Sequence, residues 1–129
     1  MNTVFISKER LFEKYSFDIV FWIVKYSEKF SGIYNSYENF LKEMDELVPD
    51  LFYVELSSKG EMDINMTQLI REQFPRSDIV ILSDGKNYAY EAFEREILDY
   101  LVYPIQKQRY EKTIGKLANK NTRINISKE

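Results

Sequence analysis

Two short runs, Leu51-Phe-Tyr-Val-Glu-Leu56 and Asp78-Ile-Val-Ile-Leu82, are apolar at nearly every position. Turn formers bound them: Pro49-Asp50 before the first, Ser83-Asp84-Gly85 after the second. A strand with one wet face alternates apolar and polar residues. A strand apolar throughout has both faces covered, as at the centre of a parallel sheet. Parallel neighbours cannot be joined by a hairpin and need a crossover, usually a helix. Between the two runs lie a loop from Ser57 to Asp63, containing Gly60, and then Met66, Leu69, Ile70 and Phe74 at helical spacing before Pro75. The middle of the chain therefore reads strand, helix, strand.

Both ends extend that pattern. Thr3 to Ile6 is a strand ending at Ser7, a candidate N-cap. From Lys8 to Lys29, Leu11, Tyr15, Ile19, Trp22, Ile23 and Tyr26 trace one face of a single long helix. Val20, Phe21 and Val24 widen its apolar arc, so the helix is buried on two sides or carries an interface. Phe30 to Tyr34 is a weak strand, and Asn35-Ser36 caps a helix from Tyr37 to Val48 bearing Phe40, Leu41, Met44 and Leu47. Tyr88, Ala89, Ala92 and Phe93 mark a short helix and Ile97 to Val102 a fifth strand. Pro104 suits the first position of a last helix with Ile105, Tyr110, Ile114 and Leu117. Five strand–helix units predict an α/β fold: a five-stranded parallel sheet with helices on both faces and right-handed crossovers. This domain spans residues 1–118. The segment 119–129 is polar except for alternating Ile124 and Ile126, and reads either as a linker entering another strand or as a frayed end.

Composition narrows the chemistry. The 129 residues include neither Cys nor His. That removes disulfides, thiolate sites, the commonest zinc ligand and the usual neutral-pH base. A net charge of −3 provides no basic field for nucleic acid. The longest apolar run, Ile19 to Val24, falls far short of the ~20 residues of a membrane span, and no secretory signal opens the chain. The expectation is a cytoplasmic, non-enzymatic domain without a metal or other cofactor.

In open parallel sheets, sites form at the carboxyl ends of the strands. Those ends are Ser7-Lys8-Glu9, Glu55 to Ser58, Ser83-Asp84 and Tyr103-Pro104. The four glycines are isolated, so no phosphate-cradling loop is present. Pro49 to Leu56 resembles the third-strand signature of response-regulator receiver domains. Glu91-Ala92-Phe93, Leu98-Asp99-Tyr100-Leu101 and Pro104-Ile105 are spaced as in receivers of the LytTR family of transcription regulators. The resemblance implies the flavodoxin-like (βα)5 receiver fold over 1–118, followed by a C-terminal DNA-binding domain outside this chain.

The resemblance also assigns positions, and several depart from the pattern. Glu55 stands where a receiver carries its phosphoacceptor Asp. Ser7 and Lys8 stand where it carries an acidic pair for Mg²⁺, with Glu9 one place late, and Tyr103 stands where it carries Lys. Ser83 fits the hydroxyl position and Tyr100 the switch aromatic, and the resemblance implies a cis bond before Pro104. Mg²⁺ needs hard oxygens and phosphoryl transfer needs the metal, so these departures together imply a pseudo-receiver. Glu55 is then either a built-in imitation of the phosphorylated state, reaching Ser83 and Lys8, or an inert strand end. For Ser83 the alternative role is a cap on the helix that follows it.

Partners follow the same reasoning. The resemblance implies a homodimer through the fourth helix, fifth strand and last helix, with Tyr90, Glu94, Arg95, Lys107 and Tyr110 on the contact face. DNA is met only through the absent C-terminal domain, and a sensor kinase is a further candidate partner. Two alternatives stand beside this reading. One is a stand-alone protein- or ligand-binding module using the pocket or the first helix near Trp22. The other is a receiver with residual phosphorylation on Asp50, Asp84 or Ser57.

Overall fold

A computed structural model describes residues 1–44, 48–58 and 65–127, with side chains as far as Lys120. The elements run β1 (Asn2–Ile6), α1 (Leu11–Tyr15), α2 (Ile19–Lys25), β2 (Lys29–Tyr34), α3 (Tyr37–Glu43), β3 (Leu51–Leu56), α4 (Asn65–Gln73), β4 (Asp78–Ser83), α5 (Ala89–Glu94), β5 (Asp99–Val102) and α6 (Lys107–Ser127). All strand pairings are parallel, in the order β2-β1-β3-β4-β5. The expected α/β architecture is therefore present, and the two apolar runs are central, β3 and β4 lying buried along their whole length.

The pleat divides each central strand between two cores. Phe52, Val54 and Leu56 join Ile79 and Ile81 beneath Phe40 of α3, Ile70 of α4 and Ala92 of α5. Leu51 and Tyr53 join Val80 and Leu82 beneath Phe12 of α1, Ile19 and Ile23 of α2, and Tyr110 and Leu117 of α6. Strand residues two apart share a face, so Glu55 projects to the side covered by α1, α2 and α6. Burying both faces of β3 and β4 is what turned their sequences into unbroken apolar runs.

Three expectations about helices need correction. The long helix from Lys8 to Lys29 is two short ones. The chain breaks at Ser16, whose backbone leaves the helical region (φ −155°, ψ 68°) and whose Oγ accepts the Ile105 N–H at 2.8 Å. The apolar face continues across the break because the Ile19 N–H bonds back to the Ser16 carbonyl at 3.1 Å, preserving nearly helical spacing. Pro104 precedes the last helix instead of opening it: α6 begins at Lys107, and the Tyr103-Pro104 bond is cis. Residues 119–127 are helical, not extended, because α6 runs without interruption to Ser127.

Other boundaries shift by a few residues. α3 ends at Glu43, where Met44 turns extended (ψ 140°), short of Val48. Residues 45–47, and most of the loop expected from Ser57 to Asp63, lie outside the described residues. β5 starts at Asp99, two residues late, because Glu96 takes a left-handed conformation (φ 61°) just before it.

Candidate functional site

At the carboxyl end of the sheet, Glu55 is the carboxylate around which the loops are arranged. β3 points it toward α1, and its side chain is buried at 8% exposure. Both of its oxygens are engaged. Oε1 accepts the Ser7 hydroxyl at 2.9 Å and the Leu11 N–H at 2.6 Å. Oε2 accepts the Phe12 N–H at 3.1 Å and the Tyr103 hydroxyl at 2.8 Å. The loop after β1 is shaped for this. Arg10 adopts a left-handed conformation (φ 53°), its N–H donates to Ser7 Oγ at 3.1 Å, and the next two N–H groups both serve Glu55. The first N–H groups of a helix have no partner within it; here a carboxylate from another element supplies one.

Tyr103 closes the opposite side. Its ring stacks on Tyr15, with centroids 6.1 Å apart. Burial, reinforced by the charge and hydrogen bond of Glu55, pushes its phenol pKa well above the ordinary tyrosine range, so it remains a donor to the carboxylate. The sequence marks Tyr103 as a strand-end residue standing where a receiver carries Lys, and its hydroxyl becomes visible as a donor through the tertiary contact alone.

Two expected partners of Glu55 are not among its donors. Lys8 is exposed and instead borders a depression of about 460 Å³ with Asn35, Ser36, Asn39, Met66 and Leu69. A solvated ammonium has no reason to desolvate when neutral donors already satisfy the carboxylate. Ser83 is fully buried, and its Oγ accepts the Gly85 N–H at 3.3 Å, a turn at the strand end and not a cap on α5. Glu9 is exposed. Asp84 accepts the Ser58 N–H at 2.7 Å, joining the loops after β3 and β4. Gly85 is required in that junction, since a Cβ there would lie 2.7 Å from Ser58 Cβ.

Tyr100 is turned inward. Its hydroxyl donates to the Gly85 carbonyl at 2.6 Å, and burial raises its pKa despite a hydrogen bond with Ser83. Asp50 sits at the other end of β3, where Oδ2 accepts the Asn2 N–H at 2.7 Å, remote from this edge. On the expected contact face, Tyr90 is 77% exposed and Glu94 and Lys107 are exposed, with Arg95 partly so. Tyr110 is not on that face. It is fully buried on the opposite side of α6, where its hydroxyl meets that of Tyr53 at 2.8 Å.

The residues do not fit a Mg²⁺ site of the receiver kind. Hard-oxygen coordination requires carboxylate lone pairs free to face the ion, whereas those of Glu55 are directed at protein donors and Ser7 donates to it. Among the described residues, no three acidic side chains converge.

A second buried carboxylate, which the sequence reading passed over, lies at the start of β5. Asp99 receives Arg109 through both guanidinium nitrogens at 2.9 and 2.7 Å, the Thr113 hydroxyl at 2.7 Å and the Tyr100 N–H at 2.9 Å, with Lys116 Nζ at 3.2 Å. Burial alone would raise its pKa, but the hydrogen bonds from Arg109, Thr113 and Tyr100 and the Arg109 charge outweigh this and hold it at about 2. The spacing of Arg109, Thr113 and Lys116 along one helical face was the available signal.

No protein-family model matches the chain. The chain is 29% identical over 82 residues to the transcriptional regulatory protein BtsR of Salmonella typhimurium, covering 64% of this chain and 34% of that protein. It is 28% identical over 93 residues to the sensory transduction protein LytT of Bacillus subtilis, covering 70% and 39%. It thus spans little more than a third of the length of these curated relatives. Among solved structures, the response regulatory domain of mrkE from Klebsiella pneumoniae superposes with a TM-score of 0.73 at 24% identity, over 92% of this chain and 96% of that one. RcsB from Salmonella enterica serovar Typhimurium, bound to promoter rprA in the presence of phosphomimetic BeF3-, gives a TM-score of 0.70 at 15% identity, over 91% and 67%. The shared feature is the fold: the doubly wound five-stranded parallel sheet of receiver domains.

Proposed function

We propose that the chain is a receiver-type regulatory domain of a bacterial transcription regulator in which phosphoryl transfer has been replaced by a permanent internal anion, the Glu55 carboxylate. One observation carries this reading: both oxygens of Glu55 are engaged by Ser7, Leu11, Phe12 and Tyr103 at the strand end where the resemblance places a phosphoacceptor. Acyl-phosphate formation requires an acceptor oxygen free for in-line attack and a cation to neutralise the developing charge. Glu55 offers no free oxygen, and its neighbours Ser7 and Tyr103 are donors. The domain therefore acts by binding, not by turnover. The similarity to BtsR and LytT supports a role in transcription regulation.

In this reading the inward Tyr100, held on Gly85, fixes the α5–β5–α6 face in one state. Two copies pair through that face, with Tyr90 and Phe93 as apolar contacts and Glu94, Arg95 and Lys107 around them. This presents a pair of DNA-binding domains beyond residues 119–129. The assembly works in the cytoplasm, and a sensor kinase, if one participates, acts through contact alone.

The test is the solution mass with and without Mg²⁺ plus beryllofluoride, which imitates an acyl-phosphate only where metal and acceptor are correctly placed. The expected result is a mass indifferent to the reagent and no stable phosphoprotein after acetyl phosphate treatment. A shift from monomer to dimer, or a Mg²⁺-dependent phosphoprotein, would overturn the reading.

A further inference from the structure

The break at Ser16 leaves an apolar surface on the side of α2 turned away from the core. Phe17 is 59% exposed, Phe21 65% and Val24 47%. Phe21 and Val24 are three residues apart on one face of α2, and Phe17, in the turn before the helix, sets its ring against that of Phe21 with centroids 6.2 Å apart. The core-facing positions of the same helix, Ile19 and Ile23, are fully buried, so the patch is not a leftover of packing within the domain. Beside it is a groove of about 240 Å³ whose lining is part apolar (Tyr15, Phe17, Trp22, Pro104, Ile105) and part polar (Ser16, Asp18). An apolar projection and the Asp18 carboxylate therefore share one small surface.

We infer that this surface binds a second copy of the same chain, the two α2 helices lying antiparallel about a two-fold axis near Phe21. Self-complementarity selects this occupant. A two-fold contact is isologous, each surface meeting its own image, and an axis near Phe21 sets the two Phe21 rings against each other, with Val24 of each copy beside Phe17 of the other. Charge supports the same pairing. Asp18 and Lys25 are seven residues apart and so lie on one flank of the apolar patch. In an antiparallel pair each flank faces its own counterpart in reverse order, so Asp18 of one copy meets Lys25 of the other, twice. In a parallel two-fold pair each flank would face the partner's opposite flank, so Asp18 and Lys25 would lie away from their counterparts. The surface is separate from the α5–β5–α6 face. It is also small, belonging with reversible interfaces that bury under about 1,200 Å².

The test is sedimentation equilibrium over a wide concentration range, in a Tyr90→Lys background that disables the other proposed contact. The expected result is concentration-dependent dimerisation that Phe21→Glu weakens at least about ten-fold, as for loss of a central aromatic anchor. Asp18→Lys and Lys25→Asp should each weaken it several-fold, and the doubly swapped chain should recover it, which also shows that the single variants fold. A monomer at every concentration, an association constant unchanged by Phe21→Glu, or a double swap no better than either single change would overturn the inference. Binding of a different protein by the patch without self-association would overturn it too.

Discussion

Two buried carboxylates stand at opposite ends of the sheet and are satisfied by opposite means. Asp99, at the start of β5, is met by the guanidinium of Arg109 and the ammonium of Lys116, together with Thr113. Among the described residues, Glu55, at the end of β3, is met by neutral donors: two hydroxyls and two backbone N–H groups. An ion pair cancels the charge it holds, so Asp99 works as a rivet that fixes α6 against β5. Neutral donors stabilise an anion without cancelling it, so Glu55 leaves a net negative charge at the edge where receivers carry their chemistry. The difference separates a group that serves the fold from one whose charge is retained.

The largest effect is expected from breaking the rivet. Asp99→Ala strands Arg109, Thr113 and the Tyr100 N–H, and should lower the unfolding free energy by about 3 kcal/mol, as for loss of one partner of a buried pair. Urea unfolding measures this, with an unchanged slope showing that only stability has moved. A loss below about 1 kcal/mol would place Asp99 among surface ion pairs. The same residue governs acid stability. Its folded pKa of about 2 lies below the ordinary 3.8, so the folded state takes up this proton less readily than the unfolded one. The resulting stabilisation, about 2 kcal/mol, is complete well above the ordinary value and is lost as pH falls through the folded value. Stability measured from roughly pH 5 down to 2 should fall with a steeper slope in the parent protein than in Asp99→Asn.

The contrast was only partly legible in the sequence. The sheet was legible because burial on both faces writes itself into β3 and β4 as unbroken apolar runs, and the pleat then decides that Glu55 faces α1. The helix break at Ser16 was not, because its reason is the N–H of Ile105, far along the chain. The same holds for the Glu55 site. Ser7 and Tyr103 could be listed as strand-end residues, but the N–H groups of Leu11 and Phe12 have no side-chain signature, and they become available through a left-handed Arg10 that no composition rule marks. The resemblance places Tyr110 on a contact face, although its spacing with Ile114 and Leu117 already marks one apolar stripe of α6. In the structure its hydroxyl meets that of Tyr53 and its ring packs against Trp22 and Tyr26.

Smaller effects should come from the Glu55 end, where substitutions separate shape from charge. Glu55→Gln keeps the length but has one acceptor oxygen, and each oxygen of Glu55 now serves two donors. Whichever way the amide turns, its NH₂ faces donors, so the loss should be about 2 kcal/mol, close to that of Glu55→Ala. A Gln variant as stable as the parent would mean that only one oxygen is structurally engaged.

The smallest effect is expected for Tyr103→Phe. It removes one donor from Oε2 while Phe12 N–H still serves that atom, and the ring can keep its stack on Tyr15. Leaving one lone pair of a nearly buried carboxylate unserved should cost about 1 kcal/mol. Alkaline titration provides a second readout. Because burial and the neighbouring carboxylate hold the Tyr103 phenol above the ordinary range, the folded state keeps a proton that the unfolded chain releases. Its contribution to stability is present below about pH 10 and declines as pH rises further. Tyr103→Phe should therefore soften the alkaline loss of stability while slightly lowering stability at neutral pH. If neither changes, Tyr103 does not hold Glu55, and the carboxylate is anchored by the loop after β1 alone.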